Sequence, residues 1–511
     1  MLLVVKYFNH KVHKDFTKDT KACLSADKEN VNLLVFGSII YDVIYDAIYS
    51  AMKNTPAFSV ISLGCPKNLT DSELMVRQLT DAGFRFHEDV RKASFVLLNT
   101  CGFLKAARNE AREILEELVD RKKRGRLKRI FVTGCAVQWE KENLARDYSD
   151  VDAWFGVFDE KKVAEVARQF LASPATTGSA TTVSGKHFYI NGIPKAVFDD
   201  SRRHLLTFPH VAYLKIADGC SRHCAYCAIP QIRGPFTSRP KSLILEEARR
   251  LADVGVRELI VIAQETNFWG TDLYGKPMLA ELLAELEETA GVAWIRLMYT
   301  YPMHFTEPLV SLFAAGNKLL PYIDLPLQHA SDSILATMNR RTNRAKTEEI
   351  LAMLRERIEN LVLRTSLIVG FPGETEEMFG ELLDFVEKWQ FERTGVFAYS
   401  QEDGTVAANL PDQIDDAVKR KRQQQLYELA DRTSSSWAKK QVGKQLDVLI
   451  DQSVPGKKNH SGPKIHYGRS YADAPTIDPV VFVNTSRKIV PGETVRCEIV
   501  ETDNINLIAV A

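Results

Sequence analysis

From Phe58 onward, short apolar runs alternate along the chain with segments of helical periodicity. The runs FSVISL, SFVLLNT and RIFVTG predict three buried strands, and the segments 69–83 and 104–124 predict helices between them. Apolar runs of about four to eight residues bounded by turn signals are typical of strands covered on both faces. Their alternation with helices predicts β–α units and a parallel sheet, so the fold class is α/β.

A second series of the same kind begins at HVAYLKIADG. Strand candidates follow at ELIVIA, WIRLMY, YIDLPL, LVLRTSLIVG and TGVFAYS. About six β–α units predict a partial (β/α) barrel, and a polar helix over 412–440 leads out of it. The pattern then changes to short strands separated by turns: QLDVLID, KIHYGRS, PVVFVN, TVRCEIV and INLIAVA. These predict a small all-β barrel of about 70 residues.

These changes of pattern predict the domain organisation. The predicted segments are an N-terminal extension, an α/β sheet domain, a Ser/Thr/Gly-rich linker, the partial barrel and the β-barrel, with bounds 1–56, 57–171, 172–205, 206–440 and 441–511. The one long apolar stretch, 31–52, contains Asp42 and Asp46, which are costly at a bilayer centre. It therefore predicts a short amphipathic helix, with a membrane span as the less favoured alternative, and we expect no membrane association.

Cysteine usage and charge narrow the class of protein. Eight cysteines in 511 residues are too few for a disulfide scaffold, which predicts a cytoplasmic protein with reduced thiols that are free to bind metal. The 66 basic residues balance the 66 acidic ones, whereas a free-standing nucleic-acid binder usually carries a basic excess.

Three cysteines follow the first strand of the second series in GCSRHCAYC: Cys220, Cys224 and Cys227. Three thiolates can bind three irons of a 4Fe–4S cluster and leave the fourth iron open. The motif lies at the carboxyl end of the predicted sheet, where α/β active sites are found. The alternatives are a zinc site with His223 as the fourth ligand, and three inert buried cysteines.

Three more cysteines, Cys65, Cys101 and Cys135, each follow a predicted strand and lie beside a glycine. They are about one β–α unit apart, so successive parallel strands should deliver all three thiols to one edge of one sheet. That convergence predicts a second cluster, although a single cysteine is more often a small core residue. Cys23 and Cys497 fit neither set.

A glycine turn joins a predicted strand to a helix in LIVGFPGETEE (367–377). The backbone of such a turn can approach a ligand closely, and an ordinary β–α turn is the alternative.

These motifs together resemble the methylthiotransferase family of radical S-adenosylmethionine (SAM) enzymes, over roughly residues 57–511. SLGCPKN (62–68), DSE (71–73) and NTCGF (99–103) are similar to its RimO-type branch, and so are LPLQHAS, IVGFPGETEE and GRSYADAP. The resemblance implies an N-terminal cluster domain, a radical SAM partial barrel and a C-terminal TRAM barrel.

The resemblance also implies two 4Fe–4S clusters on the six cysteines, SAM as cosubstrate, and contacts to SAM from Tyr226, Ile368 and Gly370. It implies methylthio transfer to the β-carbon of an aspartate of ribosomal protein S-12, with an external electron donor and a sulfur donor, and with nucleic acid reached only through the ribosome. The superfamily's Gly-Gly-Glu segment is missing, since AQETNFWG stands there, and Glu374 comes one place late in the Gly-x-Ile-x-Gly-x-x-Glu pattern.

The sequence is also compatible with two other functions. One is a tRNA methylthiotransferase acting on a modified adenosine, although from Gln441 onward eight basic and eight acidic residues leave the C-terminal segment neutral. The other is a non-catalytic iron–sulfur or RNA-binding protein that never cleaves SAM.

Overall fold

The computed structural model describes residues 55–172, 181–183, 186–190, 202–454 and 464–511. The predicted helix over 31–52 and Cys23 lie outside these residues, as does nearly all of the predicted extension. Within the described ranges, no helix is both long enough and apolar enough to cross a membrane.

Seven strands form the sheet of the first domain: β1 (Ala57–Ser62), β2 (Arg85–Phe86), β3 (Phe95–Thr100), β4 (Arg129–Gly134), β5 (Ala153–Phe155), β6 (Thr181–Val183) and β7 (Lys186–Tyr189). Their order is β2-β1-β3-β4-β5-β7-β6, and all neighbours are parallel except β6 and β7. The helices of this domain are α1 (Pro66–Asp81), α2 (Lys105–Lys123), α3 (Cys135–Glu140), α4 (Glu142–Asp147) and α5 (Val163–Ala172).

The central strands of this sheet are covered on both faces. All six residues of β3 are buried. Val96 and Leu98 pack against α2 and α3, whereas Phe95 and Leu97 pack with α1 and α5. A strand with helices on both faces buries the side chains of both faces, which is why the residues FVLL of this run are apolar without alternation.

The predicted linker contains part of the sheet. The composition of 172–205 suggested only turns, but β6 and β7 lie within it, and β7 pairs with β5. Phe188 is buried and stacks on Trp154 with ring centroids 6.3 Å apart. The linker prediction is therefore wrong for this stretch, because KHFY places an aromatic residue on the face that the sheet buries.

The second domain contains six strands in sequential order across an open, all-parallel sheet: β8 (Val211–Lys215), β11 (Glu258–Ile262), β12 (Trp294–Leu297), β13 (Leu319–Asp324), β14 (Val362–Val369) and β15 (Arg393–Ala398). A two-stranded ribbon, β9 (Ala217–Asp218) with β10 (Thr237–Ser238), lies beside it. Its helices are α6 (Ile229–Arg233), α7 (Lys241–Asp253), α8 (Thr271–Tyr274), α9 (Leu279–Glu287), α10 (Glu307–Ala315), α11 (Asp332–Thr337), α12 (Arg344–Arg357), α13 (Glu376–Trp389) and α14 (Asp416–Lys439). These strands confirm the predicted partial barrel.

The chain ends in a closed five-stranded barrel, as predicted: β16 (Gln445–Ser453), β17 (Lys464–Arg469), β18 (Val481–Thr485), β19 (Thr494–Asp503) and β20 (Asn506–Val510). Strands β18 and β20 are parallel, and the other neighbours are antiparallel. Cys497 is fully buried in the barrel core, consistent with a structural residue.

The loop between β17 and β18 leaves the barrel and enters the concave side of the six-stranded sheet. We call residues 470–478 the plug loop. Ala472 and Ala474 pack there against residues of β8, β11 and β13. Arg393 of β15 donates to the Asp473 carboxylate (2.8 Å), and the Tyr322 hydroxyl of β13 donates to Asp478 (2.6 Å). The C-terminal barrel is thus anchored to the middle domain by buried polar contacts.

Replacing Asp473 with alanine should destabilise the protein by about 3–5 kcal/mol, because it leaves the buried Arg393 guanidinium without its carboxylate partner. The matched control is Asp447→Ala, which removes an exposed ion pair with Arg496 and should cost about 0–1 kcal/mol. Urea unfolding of the two variants measures both effects. Equal small losses would show that the plug loop contributes little to stability.

Candidate active site

The first three cysteines follow three neighbouring strands. Cys65 comes after β1, Cys101 after β3 and Cys135 after β4. These strands are adjacent, parallel and in register, with Ser62 opposite Asn99 and Asn99 opposite Thr133. The structure therefore brings all three thiols to the carboxyl edge of the sheet.

Burial controls the chemistry of these thiols. Burial, together with the neighbouring Cys135 and Cys65 thiols, raises the pKa of Cys101 to about 12. Burial also raises the pKa of Cys135, while the positive charge of the nearby Arg233 guanidinium opposes the rise. Both thiols are therefore protonated at neutral pH in the free protein. A metal centre would deprotonate them on binding, so the donor set suits a metal rather than a free nucleophile.

The second three cysteines lie in the loop between β9 and α6. Cys220 N–H donates to Gly234 O, and Cys227 N–H donates to Cys224 O, each at 3.0 Å. Burial raises the pKa of Cys220 to about 11 and raises that of Cys227 as well, with the other thiols of the set adding to both shifts. This loop follows β8 and β9, so it also lies at the carboxyl end of the strands that precede it.

The zinc alternative finds no support in the geometry. Within the described residues, no group of three or more histidine, cysteine, aspartate or glutamate side chains is placed to hold a single metal ion. His223, the candidate fourth ligand, is exposed.

The two cysteine sets face each other across the domain interface. Cys135 packs with Ala228 and Ile232, and Ala228 directly follows Cys227 in the chain. Beside Cys65, the buried Lys67 ammonium lies 3.3 Å from the centroid of the Tyr299 ring and donates to Ala263 O (3.3 Å). Ala263 and Tyr299 follow β11 and β12, so the carboxyl ends of both sheets meet at this interface.

A buried group of charges joins the two domains beside the thiols. Arg233 donates to Asp71 (2.7 Å) and Asn68 (3.1 Å) of α1 and to Asp218 of β9 (3.2 Å). Lys215 of β8 bridges the same two carboxylates, at 2.6 Å from Asp71 and 3.0 Å from Asp218. From the sequence, SLGCPKN and DSE could be recognised only as family motifs, and Arg233 had no predicted role. The residues of α1 that Arg233 contacts lie far from it in sequence, so no local pattern relates them.

Two of the predicted SAM contacts lie together next to the second cysteine set. Tyr226 and Ile368 pack in one apolar group with Met338 and Phe371. Burial raises the pKa of Tyr226 well above its usual range, and a hydrogen bond to the Cys224 thiol raises it further. The group forms an apolar wall beside Cys224.

The third predicted contact, Gly370, forms a tight turn. Its φ is +70°, and a Cβ added there would lie 2.3 Å from Lys419 Cγ. The N–H groups of Gly370 and Phe371 both donate to the Glu374 carboxylate, the latter at 3.1 Å. Glu374, one place late in the sequence pattern, thus closes this turn. The Gly370 N–H is therefore already bonded within the turn, and the contact of Gly370 with SAM stays a prediction.

Two arginines enclose Tyr301 beside the second cysteine set. The guanidinium of Arg340 lies 4.1 Å from the ring centroid and that of Arg222 lies 4.4 Å from it. Arg340 reaches to 3.9 Å from the Cys224 sulfur, and Arg222 pairs with Glu265 (2.7 Å) in the AQETNFWG segment. The sequence offered no signal for Arg340, which lies outside every motif.

Comparison with known protein families matches all three domains. Residues 57–156 match the Uncharacterized protein family UPF0004, 214–386 the Radical SAM superfamily, and 442–511 the TRAM domain. Among solved structures, a radical SAM methyltransferase, TsrM from Kitasatospora setae, aligns with a TM-score of 0.50 and 15% identity over 67% of this chain and 75% of that one. That likeness concerns the fold alone.

Curated relatives match over nearly their whole length. The ribosomal protein uS12 methylthiotransferase RimO of Geobacter sulfurreducens is 42% identical over 88% of this chain and 97% of its own. The protein of the same name from Lachnoclostridium phytofermentans is 41% identical over 88% of this chain and 99% of its own. This family relationship confirms the cofactors that the sequence resemblance implied, which are SAM and 4Fe–4S clusters. The chain belongs to the uS12 methylthiotransferase family of radical SAM enzymes.

Proposed function

We propose that this protein adds a methylthio group to the β-carbon of an aspartate in ribosomal protein uS12. The observation that carries the proposal is the meeting of two cysteine triads across one domain interface. The curated relatives bear the name of uS12 methylthiotransferases, which supports the choice of substrate. The proposal includes the division into a cluster domain (57–171), a radical SAM domain (206–440) and a TRAM domain (441–511).

In this proposal each triad holds one 4Fe–4S cluster. Cys220, Cys224 and Cys227 would bind the cluster that works with SAM, and the other set would bind the cluster that handles sulfur: Cys65, Cys101 and Cys135. The bound cofactors supply radical chemistry that breaks an unactivated C–H bond, which a positioned acid or base cannot do.

The side chains of this protein would place SAM and exclude water. Tyr226 and Ile368 offer an apolar wall beside Cys224, and the turn at Gly370 keeps the backbone close to that wall. At the interface, the Lys67 ammonium lies over the Tyr299 ring, and Arg233 donates to Asn68, whose side-chain oxygen is 3.9 Å from the Cys135 sulfur. Both cations are buried and would exclude water from their part of the interface.

Charge favours a protein substrate over tRNA. The TRAM segment is neutral, with eight basic and eight acidic residues from Gln441 onward. In the basic run 121–129, Lys122 and Arg129 both pair with Asp152, and Arg124 pairs with Asp120. Their charges are partly neutralised within the domain, which weakens any attraction to phosphates. We further propose that a cytoplasmic reductant and a sulfur donor serve the enzyme.

The wild-type protein, incubated anaerobically with SAM, reductant and sulfide, should add the mass of a methylthio group to uS12 and none to tRNA. Cys224→Ala should abolish SAM cleavage, because it removes a ligand of the cluster that works with SAM. Cys101→Ala should still cleave SAM but should stop sulfur transfer. Mass spectrometry of both substrates and chromatography of the SAM cleavage product measure these outcomes.

Cys497→Ala is the matched control, since that buried cysteine belongs to neither triad. It should leave cleavage and transfer near wild-type rates. Methylthio transfer by Cys101→Ala would contradict the assignment of the first triad. Modification of tRNA in place of uS12 would favour the tRNA-modifying alternative.

A glycine pair offers a test of how Cys101 is placed. Gly64 has φ +92°, and a Cβ there would lie 2.7 Å from Cys101 Cβ and 2.9 Å from its sulfur. Gly64→Ala should therefore displace the thiol and lower the iron content from about eight to about four per chain. Gly83 has the same φ with nothing within 4 Å of an added Cβ, so Gly83→Ala introduces equal strain without that contact.

The expected result is loss of iron in Gly64→Ala alone, measured after anaerobic reconstitution. Equal iron in the two variants would show that the space beside Cys101 is not needed for the first cluster.

A further inference from the structure

Arg233 is a buried cation that bonds to the segments flanking both cysteine sets, and Lys215 shares two of its carboxylate partners. It lies in α6, six residues after Cys227, and its side chain is 1% exposed. It donates to Asp218, two residues before Cys220, and to Asn68 and Asp71, which follow Cys65. A single guanidinium therefore links the segments that flank both triads.

The same side chain is also linked to a thiol of the opposite domain. Arg233 donates to the side-chain oxygen of Asn68 (3.1 Å), and the same oxygen lies 3.9 Å from the Cys135 sulfur, so the guanidinium is linked to this thiol through one amide. The planar, permanently charged guanidinium can bond carboxylate and amide at the same time, which a lysine ammonium does with less precise geometry.

Several buried charges surround Arg233. Arg233 and Lys215 face the carboxylates of Asp71 and Asp218, and the Lys67 ammonium acts on Arg233 as a third cation. Removing the guanidinium would make the net charge next to the first triad more negative by one elementary charge. In a buried site of low effective dielectric, such a charge acts strongly on a nearby metal centre.

We infer that Arg233 is a positioning residue for the first cluster, and that its buried positive charge, provided by the radical SAM domain, sets the electrostatic environment of the thiolates of Cys65, Cys101 and Cys135. This role rests on the proposed function, because it assumes that this triad holds a cluster. It implies that the sulfur-handling cluster depends on a residue of the domain that binds the other cluster.

The test uses the full chain with Cys220, Cys224 and Cys227 changed to alanine, so that only the first cluster contributes to the measurements. Arg233→Gln and Arg233→Lys are compared with this parent by iron content, electron paramagnetic resonance and midpoint potential. Reduction adds negative charge to a cluster, so loss of a neighbouring cation should move the potential of Arg233→Gln to a more negative value. Arg233→Lys keeps the charge and should stay near the parent.

Arg203→Gln is the matched control. Arg203 is also buried, and it also joins α1 to the second domain, through Glu73 and Glu247, but it touches no cysteine. Its potential should equal that of the parent. A shift in Arg233→Gln alone supports the role of Arg233, whereas no shift in that variant, or equal shifts in both glutamine variants, overturns it.

Two further outcomes also decide the matter. One is the loss of all iron from Arg233→Gln. In that case, normal iron content in Arg233→Lys supports the inference, because it shows that the cluster requires the positive charge. Equal loss of iron in both variants contradicts the inference. A parent protein that holds no iron would refute the proposed cluster itself, and the role of Arg233 with it.

Discussion

The architecture depends on a buried, charged contact between the first turns of α1 and the carboxyl end of the second sheet. Asp71 accepts from both Arg233 and Lys215, and Glu73 pairs with Arg203 two residues further along the helix. Burying such charges carries a large desolvation penalty, so these pairs are weak evidence of extra stability. They define instead a single arrangement of the two domains, since any other arrangement would leave charges buried without partners.

That arrangement brings the two cysteine sets to the same domain interface. Each set lies at the carboxyl edge of a parallel sheet, and the contact through α1 places these two edges opposite each other. At the other side of the second sheet, the plug loop fills the concave surface and pairs with Arg393 and Tyr322. The middle domain is therefore held by its neighbours at two places.

Much of this could be predicted from the sequence, because local patterns determine it. Strands buried on both faces appear as continuous apolar runs, and three cysteines after three such strands must share one sheet edge. Contacts between domains leave no such pattern: nothing local relates Asp71 to Arg233 or Arg393 to Asp473. The strand β7 was missed because Ser, Thr and Gly dominate the segment around it, and the role of Glu374 became visible only when its carboxylate was seen to bond Gly370.

The proposed function requires two clusters on two separate triads. Iron and acid-labile sulfide should be measured in anaerobically reconstituted wild-type protein and in a variant with Cys65, Cys101 and Cys135 all changed to alanine. About eight irons are expected in the wild type and about four in the variant. About four irons in both proteins would contradict it, and would leave a radical SAM enzyme with a single cluster and no site for sulfur.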